Sequence, residues 1–181
     1  FDPDDDPGTA NTLKTTNASN DIFIAKYDSN GKFILAKGMG GPGRDTPNGM
    51  HVEADGTVYL TGRIDKNADL DPDPAQENII GEFDRSIFFA KYSPDISLDF
   101  ARSFGSVDEL MERGTDIAVD QEGNIYITGL FETSTLNLDP QSKDNPGFKN
   151  AGAVDGFWAK FDPDGRQLLS SKHIGGSGND V

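Results

Sequence analysis

Apolar residues fall into short runs separated by clusters of Gly, Asp, Asn and Pro, the pattern of brief strands joined by turns. Four such runs follow one another in the middle of the chain: an A strand from Gly49 to Glu53, a B strand from Val58 to Arg63, a C strand from Ser86 to Tyr92 and a D strand from Leu98 to Phe104. Asp55-Gly56 and Glu122-Gly123 suit tight A–B turns, and Asn30-Gly31 and Asp164-Gly165 suit C–D turns, because Gly tolerates positive φ. Ile96 stands at that Gly position in the middle repeat, so a different turn is expected there. In the C runs, Phe23, Ala25 and Tyr27 alternate with Ile22 and Ile24, so both faces of the strand are apolar. Phe88/Phe89 and Phe157/Trp158 repeat the feature. Each buried aromatic contributes about 1.5–3 kcal/mol, so such a sheet needs cover on both sides.

The runs recur. Asp21-Ile-Phe-Ile-Ala-Lys-Tyr27, Ser86-Ile-Phe-Phe-Ala-Lys-Tyr92 and Asp155-Gly-Phe-Trp-Ala-Lys-Phe161 place Ala25, Ala90 and Ala159 at spacings of 65 and 69. Met50-His-Val-Glu-Ala-Asp-Gly-Thr-Val-Tyr-Leu-Thr-Gly62 echoes Ile117-Ala-Val-Asp-Gln-Glu-Gly-Asn-Ile-Tyr-Ile-Thr-Gly129 at an offset of 67. Phe1-Asp2-Pro3, Leu70-Asp71-Pro72 and Leu138-Asp139-Pro140 form a third series. Self-similarity at a period of 20–50 residues or somewhat more marks solenoids and propellers. A sandwich strand shows one polar face, whereas a propeller blade is packed between two neighbours.

The expected architecture is therefore all-β, a β-propeller segment of four-stranded antiparallel blades of about 67 residues. Residues 1–47 supply a B–C loop with C and D strands of a partial blade, 48–113 a blade and 114–181 another, all within one propeller domain. That makes two and a half blades, where a ring needs roughly four to eight. The open faces are expected to be covered by the remaining blades of a larger chain or by self-association.

Composition narrows the partners. The 31 Asp+Glu against 16 Lys+Arg give a net charge of -15, which repels phosphate backbones and anionic lipid, so no nucleic acid and no membrane insertion are expected. Without Cys there is no disulfide, thiolate metal site or Cys nucleophile. No run reaches the roughly 18 apolar residues of a membrane span.

The Gly-x-x-Val-Asp/Glu-x-x-Gly-x-Val/Ile-Tyr-Leu/Ile-Thr-Gly element, the Asp-x-Phe-x-Ala-Lys-Tyr element and the Gly-Gly-x-Gly-x-Asp close of the D strand resemble the seven-bladed bacterial β-propeller repeat family of large secreted or surface-attached proteins. Phe-Asp-Pro followed by Pro-Gly-Thr-Ala-Asn resembles a subtype with an acidic, Asp-Pro-containing B–C loop. The resemblance implies an extracellular, repetitive, adhesion-like role and says little about chemistry.

Two readings of the acidic loops stay open. Asp69, Asp71 and Asp73, and likewise Asp2, Asp4 and Asp6, alternate as Asp-x-Asp-x-Asp, a spacing that can converge on Ca²⁺ through hard oxygen ligands. The third loop offers Asn137, Asp139 and Gln141, with one carboxylate. Alternatively each Asp caps its own backbone in a solvated turn that Pro stiffens. Gly40-Gly41-Pro-Gly43-Arg-Asp45 and Gly175-Gly176-Ser-Gly178-Asn-Asp180 match the start of a calcium-binding nonapeptide, but they recur once per blade and read better as interblade turns. The middle repeat, Gly105-Ser-Val-Asp108-Glu109, has lost the pattern. Lys26, Lys91, Lys160, Lys37, Arg102 and Lys172 occupy equivalent positions in the C and D strands, which suits a structural job such as pairing with loop carboxylates or lining an edge, with a ligand site that uses several blades as the alternative. His51 and His173 lie outside the repeat, so no acid/base pair is implied, and no Gly-x-Ser-x-Gly elbow or Walker loop is present.

The functional expectation is a non-catalytic extracellular or cell-surface module, a structural, adhesive or ligand-binding scaffold for a surface glycan or protein. Its rival is a propeller-type lyase or glycosidase with an active site outside this segment. An enzyme needs a cluster of unique polar residues at one blade end.

Overall fold

A computed structural model describes residues 13–14, 19–106, 108, 110–139 and 147–180. Its strands all belong to small antiparallel sheets, and no helix occurs among the described residues. The first sheet is a hairpin of β1 (Ile22–Tyr27) and β2 (Phe33–Met39). The second is a four-stranded meander of β3 (Thr46–Val52), β4 (Val58–Ile64), β7 (Ser86–Tyr92) and β8 (Leu98–Phe104). The third repeats it with β9 (Glu112–Val119), β10 (Ile125–Phe131), β13 (Asp155–Phe161) and β14 (Leu168–Ile174). Two ribbons missed in the sequence sit inside the B–C loops: β5 (Ala68–Asp69) with β6 (Ile79–Ile80), and β11 (Thr135–Leu136) with β12 (Phe148–Lys149). Two-residue strands carry too little pattern to be seen as a period of two.

Alternation of side chains decides how the sheets stack. In β4 and β7, Val58, Leu60, Phe88, Ala90 and Tyr92 point to one side and join Ile22, Ile24 and Met39 of the first sheet in one core. Tyr59, Ile87 and Phe89 point to the other side and join Ile117, Ile125, Ile127, Phe157 and Phe161 of the third sheet in a second core. The middle sheet is thus covered on both faces, and Phe88 and Phe89 are both fully buried. At the second seam Phe89 and Phe104 meet Phe161 at centroid distances of 4.9 and 5.5 Å. This packing of separate four-stranded meanders face to face is that of a partial β-propeller, and neither a continuous sheet nor a solenoid.

The Thr-Gly pair near the end of each B strand now has a physical reason. A Cβ on Gly62 would lie 2.2 Å from the Thr46 carbonyl and 3.0 Å from the Phe88 ring, and one on Gly129 would lie 2.3 Å from the Phe157 ring. The A strand shifts register opposite these glycines, so the C-strand aromatic and the bulged A strand both crowd the same spot.

The A–B and C–D turns share one geometry, except that the last C–D turn is one residue longer, with Asp162 N donating to Gln167 O. Asp28 N donates to Lys32 O and Gly31 N to Asp28 O, with the same pair of bonds at Glu53/Thr57 and Asp120/Asn124. Gly31, Gly56, Gly123 and Gly165 all have positive φ. The expectation of a different turn at Ile96 is corrected: Ser93 N donates to Ser97 O, Ile96 N to Ser93 O, and Ile96 itself takes a φ of 58°. Its side chain is buried in the first core, and that burial holds a β-branched residue where Gly stands elsewhere.

Candidate functional site

In an antiparallel meander the A–B and C–D turns lie at one end of the sheet, and the B–C loops and D–A connections at the other. The first end is uniform and tight. The second carries the long loops, the acidic runs and the interblade connections, and is therefore where any ligand-facing variation resides.

The loop between β4 and β7 is anchored to the preceding sheet before it reaches solvent. Gly40 and Asp69 exchange both backbone hydrogen bonds, Gly40 N to Asp69 O at 2.8 Å and Asp69 N to Gly40 O at 3.1 Å. The buried Tyr92 hydroxyl lies 3.1 Å from Leu70 O and 3.0 Å from Met39 Sδ, so it bolts this loop to β2. Burial drives the Tyr92 phenol well above its ordinary pKa, with Asp71 and Asp69 adding to the shift.

Along the acidic run the carboxylates serve the backbone. Asp69 Oδ1 accepts from Asp71 N and Asn78 N, Asp71 Oδ1 from Asp73 N, and Asp73 Oδ1 from Ala75 N, each at 2.9–3.0 Å. Gln76 Nε2 adds a bond to Asp73 Oδ2. Those donors hold the Asp73 carboxyl below its ordinary range. The third loop keeps the first rung, with Asp139 N donating to Asn137 Oδ1. This is a ladder of Asx turns, in which alternate residues face successive amides. No three His, Cys, Asp or Glu side chains are grouped as a metal site among the described residues, so Asp69, Asp71 and Asp73 are not gathered on one point. Asp2, Asp4, Asp6 and Gln141 lie outside the described residues.

The Gly-Gly-x-Gly-x-Asp turn has a defined role. Asp45, buried at 2% exposure, accepts from Gly41 N at 2.7 Å and from Asp65 N at 3.0 Å, while Asp180 accepts from Gly176 N at 2.7 Å. Burial raises the Asp45 pKa and the two amides oppose the rise. Asp65 in turn accepts from Arg44 N and Arg85 N and pairs with Arg63 at 3.0 Å. Burial works against its ionisation, but the Arg44 amide and Arg63 guanidinium outweigh it and hold the pKa low. One carboxylate pair thus locks a D–A connection to the next B–C loop.

The repeating cations behave unequally. Lys160 pairs with Asp120 at 3.1 Å and lies 4.9 Å from the Tyr126 ring centroid, as the loop-carboxylate reading expects. Burial opposes ionisation of Asp120, yet the Asn124 side chain and amide with the Lys160 ammonium hold its pKa far below the ordinary range. Lys26 and Lys37 instead donate across the seam to the carbonyls of Pro94 and Ile96 in the next sheet's C–D turn.

A pair that sequence reasoning missed is His173 with Asp155, Nε2 to Oδ2 at 2.8 Å. The Asp155 side chain is fully buried and also accepts from Ala151 N at 2.6 Å. That amide and His173 hold its pKa low against burial. His173 lies against the rings of Phe131 and Phe148. The two residues are 18 apart and become neighbours only through the register that pairs Phe157 with His173, so no local motif announces them. The pair ties β14 to the loop ahead of β13, and Ser103 does the equivalent work in the second sheet by accepting from Gly81 N.

Beside the acidic loop a half-open groove of about 550 Å³ is walled by Ile22, Lys37, Met39, Asp69, Asp71 and Pro72. Phe23, also on its wall, is 49% exposed.

Residues 113–130, covering most of β9, the A–B turn and most of β10, match the family model described as SBBP, beta-propeller repeat. The similarity is thus to a propeller repeat, at the segment where the sequence repeat is clearest. No curated protein matches the chain significantly.

Proposed function

We propose that the chain is a non-catalytic propeller module of an extracellular or cell-surface bacterial protein, in which rigid blades hold acidic loops out for adhesion or ligand binding. The observation that carries this reading is the commitment of the loop carboxylates: Asp45, Asp65, Asp69, Asp71 and Asp73 each accept from backbone amides, so their geometry serves loop shape. Polar contacts that recur from sheet to sheet at equivalent positions belong to a scaffold, whereas catalysis needs a unique convergent set. A strongly acidic, rigid surface suits a cationic or hydroxyl-rich partner such as a basic protein segment or a surface glycan.

The module is completed by further sheets of the same kind. Tyr27 is 44% exposed where its equivalents Tyr92 and Phe161 are at 0% and 2%, and Ile174 is 53% exposed where Met39 and Phe104 are at 5% and 8%. Each end sheet therefore presents half of a seam that the interior sheets complete.

Binding of the purified chain to immobilised bacterial polysaccharides and matrix proteins tests the reading, with a variant whose residues 70–78 are replaced by a short Gly-Asn turn. Binding that is lost in this variant, with no change in polysaccharide chain length on long incubation, is the expected result. Release of new reducing ends or unsaturated sugars would overturn it.

A further inference from the structure

The second interblade connection breaks the rule set by the first, and the break leaves an ionisable group stranded. Glu112 stands where Asp45 stands one repeat earlier, 67 residues on. Asp45 receives two amides, from Gly41 and Asp65. At the second connection, the amide of Glu132, equivalent to that of Asp65, is taken by the Met111 carbonyl at 2.9 Å. Glu112 is nonetheless buried at 1% exposure, and neither carboxyl oxygen makes a well-formed hydrogen bond, its nearest donors being Thr133 and Ser106. Beside it the Thr133 hydroxyl, fully buried, makes no well-formed hydrogen bond either and faces the Glu112 carboxyl. A buried carboxylate stripped of donors is costly, whereas the protonated acid carries no charge and can itself donate.

We propose that Glu112 makes the connection between the second and third sheets a pH-responsive latch, seated while its carboxyl is protonated and loosened when it ionises. The surroundings reinforce the protonated form. Burial pushes its pKa up to about 7 from an ordinary 4.5; Thr133 and Ser106 offset part of the shift and the Asp108 carboxylate adds repulsion. Arg113 and Glu132 flank the pairing of Glu112 with Phe131. The strands against β9, namely its ladder partner β10 and the packed β3, β4 and β7, bring the cationic candidates His51, Arg63 and Lys91 and the neutral phenols Tyr59, Tyr92 and Tyr126. Arg63 is engaged by Asp65 at 3.0 Å, Lys91 lies 3.9 Å from Asp99, and His51 rests edge-on against Tyr59. No cation is therefore supplied to Glu112 from these strands.

The sign follows from linkage. Below about pH 4.5 the folded and unfolded chains both hold the proton and the group is neutral to stability. Between pH 4.5 and about 7 the unfolded chain releases it while the folded chain keeps it, so stability falls as pH rises, and above pH 7 the loss is complete. Across that window the folding constant should drop by roughly two orders of magnitude on this account. The motion belongs to the seam, since Glu112 opens β9, the strand that packs on the second sheet.

The test is the difference in melting temperature between Glu112→Gln and the unaltered chain from pH 4.5 to 8. Contributions of titrating groups not coupled to Glu112 cancel in that difference, which leaves Asp108 as the coupled neighbour. The expected result is a variant advantage that grows with pH up to about 7 and then stays level. A difference independent of pH would overturn the latch. Should the variant not fold, the carboxyl ¹³C shift of Glu112 in the unaltered chain decides: a midpoint near 7 supports the proposal, and one near 4.5 overturns it.

Discussion

Ile96 illustrates how burial can overrule backbone preference at a single position. An L residue in the left-handed region costs roughly 1–2 kcal/mol, and burying an Ile side chain returns about 1.5–3 kcal/mol. The two substitutions that separate these terms should therefore rank in an unusual order. Ile96→Gly loses the burial but relieves the strain, whereas Ile96→Ala loses most of the burial and keeps the strain. Urea unfolding is expected to show the Ala variant less stable than the Gly variant, the reverse of the ordinary penalty for Gly. Tyr92 makes a second test at this scale. Tyr92→Phe leaves the buried Leu70 carbonyl without its donor and should cost about 1–3 kcal/mol, while the ring contacts in the first core survive. The same measurement on Tyr27→Phe, whose hydroxyl lies on an exposed side chain, should show little change.

At the scale of elements, the acidic loop is a self-capped ribbon. Asp71→Asn preserves an oxygen that can accept from Asp73 N, so the melting temperature should hold, whereas Asp71→Ala removes the rung and should lower it. Addition of Ca²⁺ or EDTA is expected to leave the melting temperature unchanged if the carboxylates serve the loop backbone, whereas a rise of several degrees with Ca²⁺ would support the cation reading of Asp69, Asp71 and Asp73. The turn after β9 adds a pH effect of known sign. Asp120 has a lowered pKa in the folded chain, so its pairing with Lys160 stabilises above the ordinary carboxylate range and is lost as pH falls through the folded value. Asp120→Asn should accordingly flatten the acid limb of the stability curve.

The long strands were legible because period-two alternation and Gly-containing turns are local signals; the B, C and D boundaries read from sequence agree with β4, β7 and β8 to within a residue. The A strand was placed too late, at Gly49, because Pro47 and the bulge opposite Gly62 obscure its first half. What escaped reading depends on contacts between distant segments. The Gly40–Asp69 bridge, the Tyr92 bolt and the Asp155–His173 pair join residues that only the stacking of sheets brings together. The Asp-x-Asp-x-Asp run was visible, but spacing alone cannot say whether alternate carboxylates turn toward a common ion or toward their own amides. Ile96 failed for a related reason, since its core partners Tyr92 and Leu70 lie outside the turn.

At the scale of the whole molecule, the sheets behave as copies of one part whose two faces fit each other. The exposure of Tyr27 and Ile174 against the burial of their equivalents implies that the end sheets adhere to something with the same surface. Sedimentation of the chain is expected to show concentration-dependent association, and Tyr27→Glu together with Ile174→Glu should shift it toward monomer with an unaltered circular dichroism spectrum. The excess of 15 negative charges opposes such contacts, so association should strengthen with added salt.

The central claim is that the middle sheet is enclosed between two others. Nuclear Overhauser contacts between the Phe89 and Phe161 rings, and between the Tyr92 ring and the Met39 methyl group, test it in one spectrum, because each pair joins different sheets on opposite faces. Both sets of contacts should appear together in the folded chain. A spectrum in which Phe89 and Tyr92 contact only residues of their own sheet would contradict the stacked-blade account.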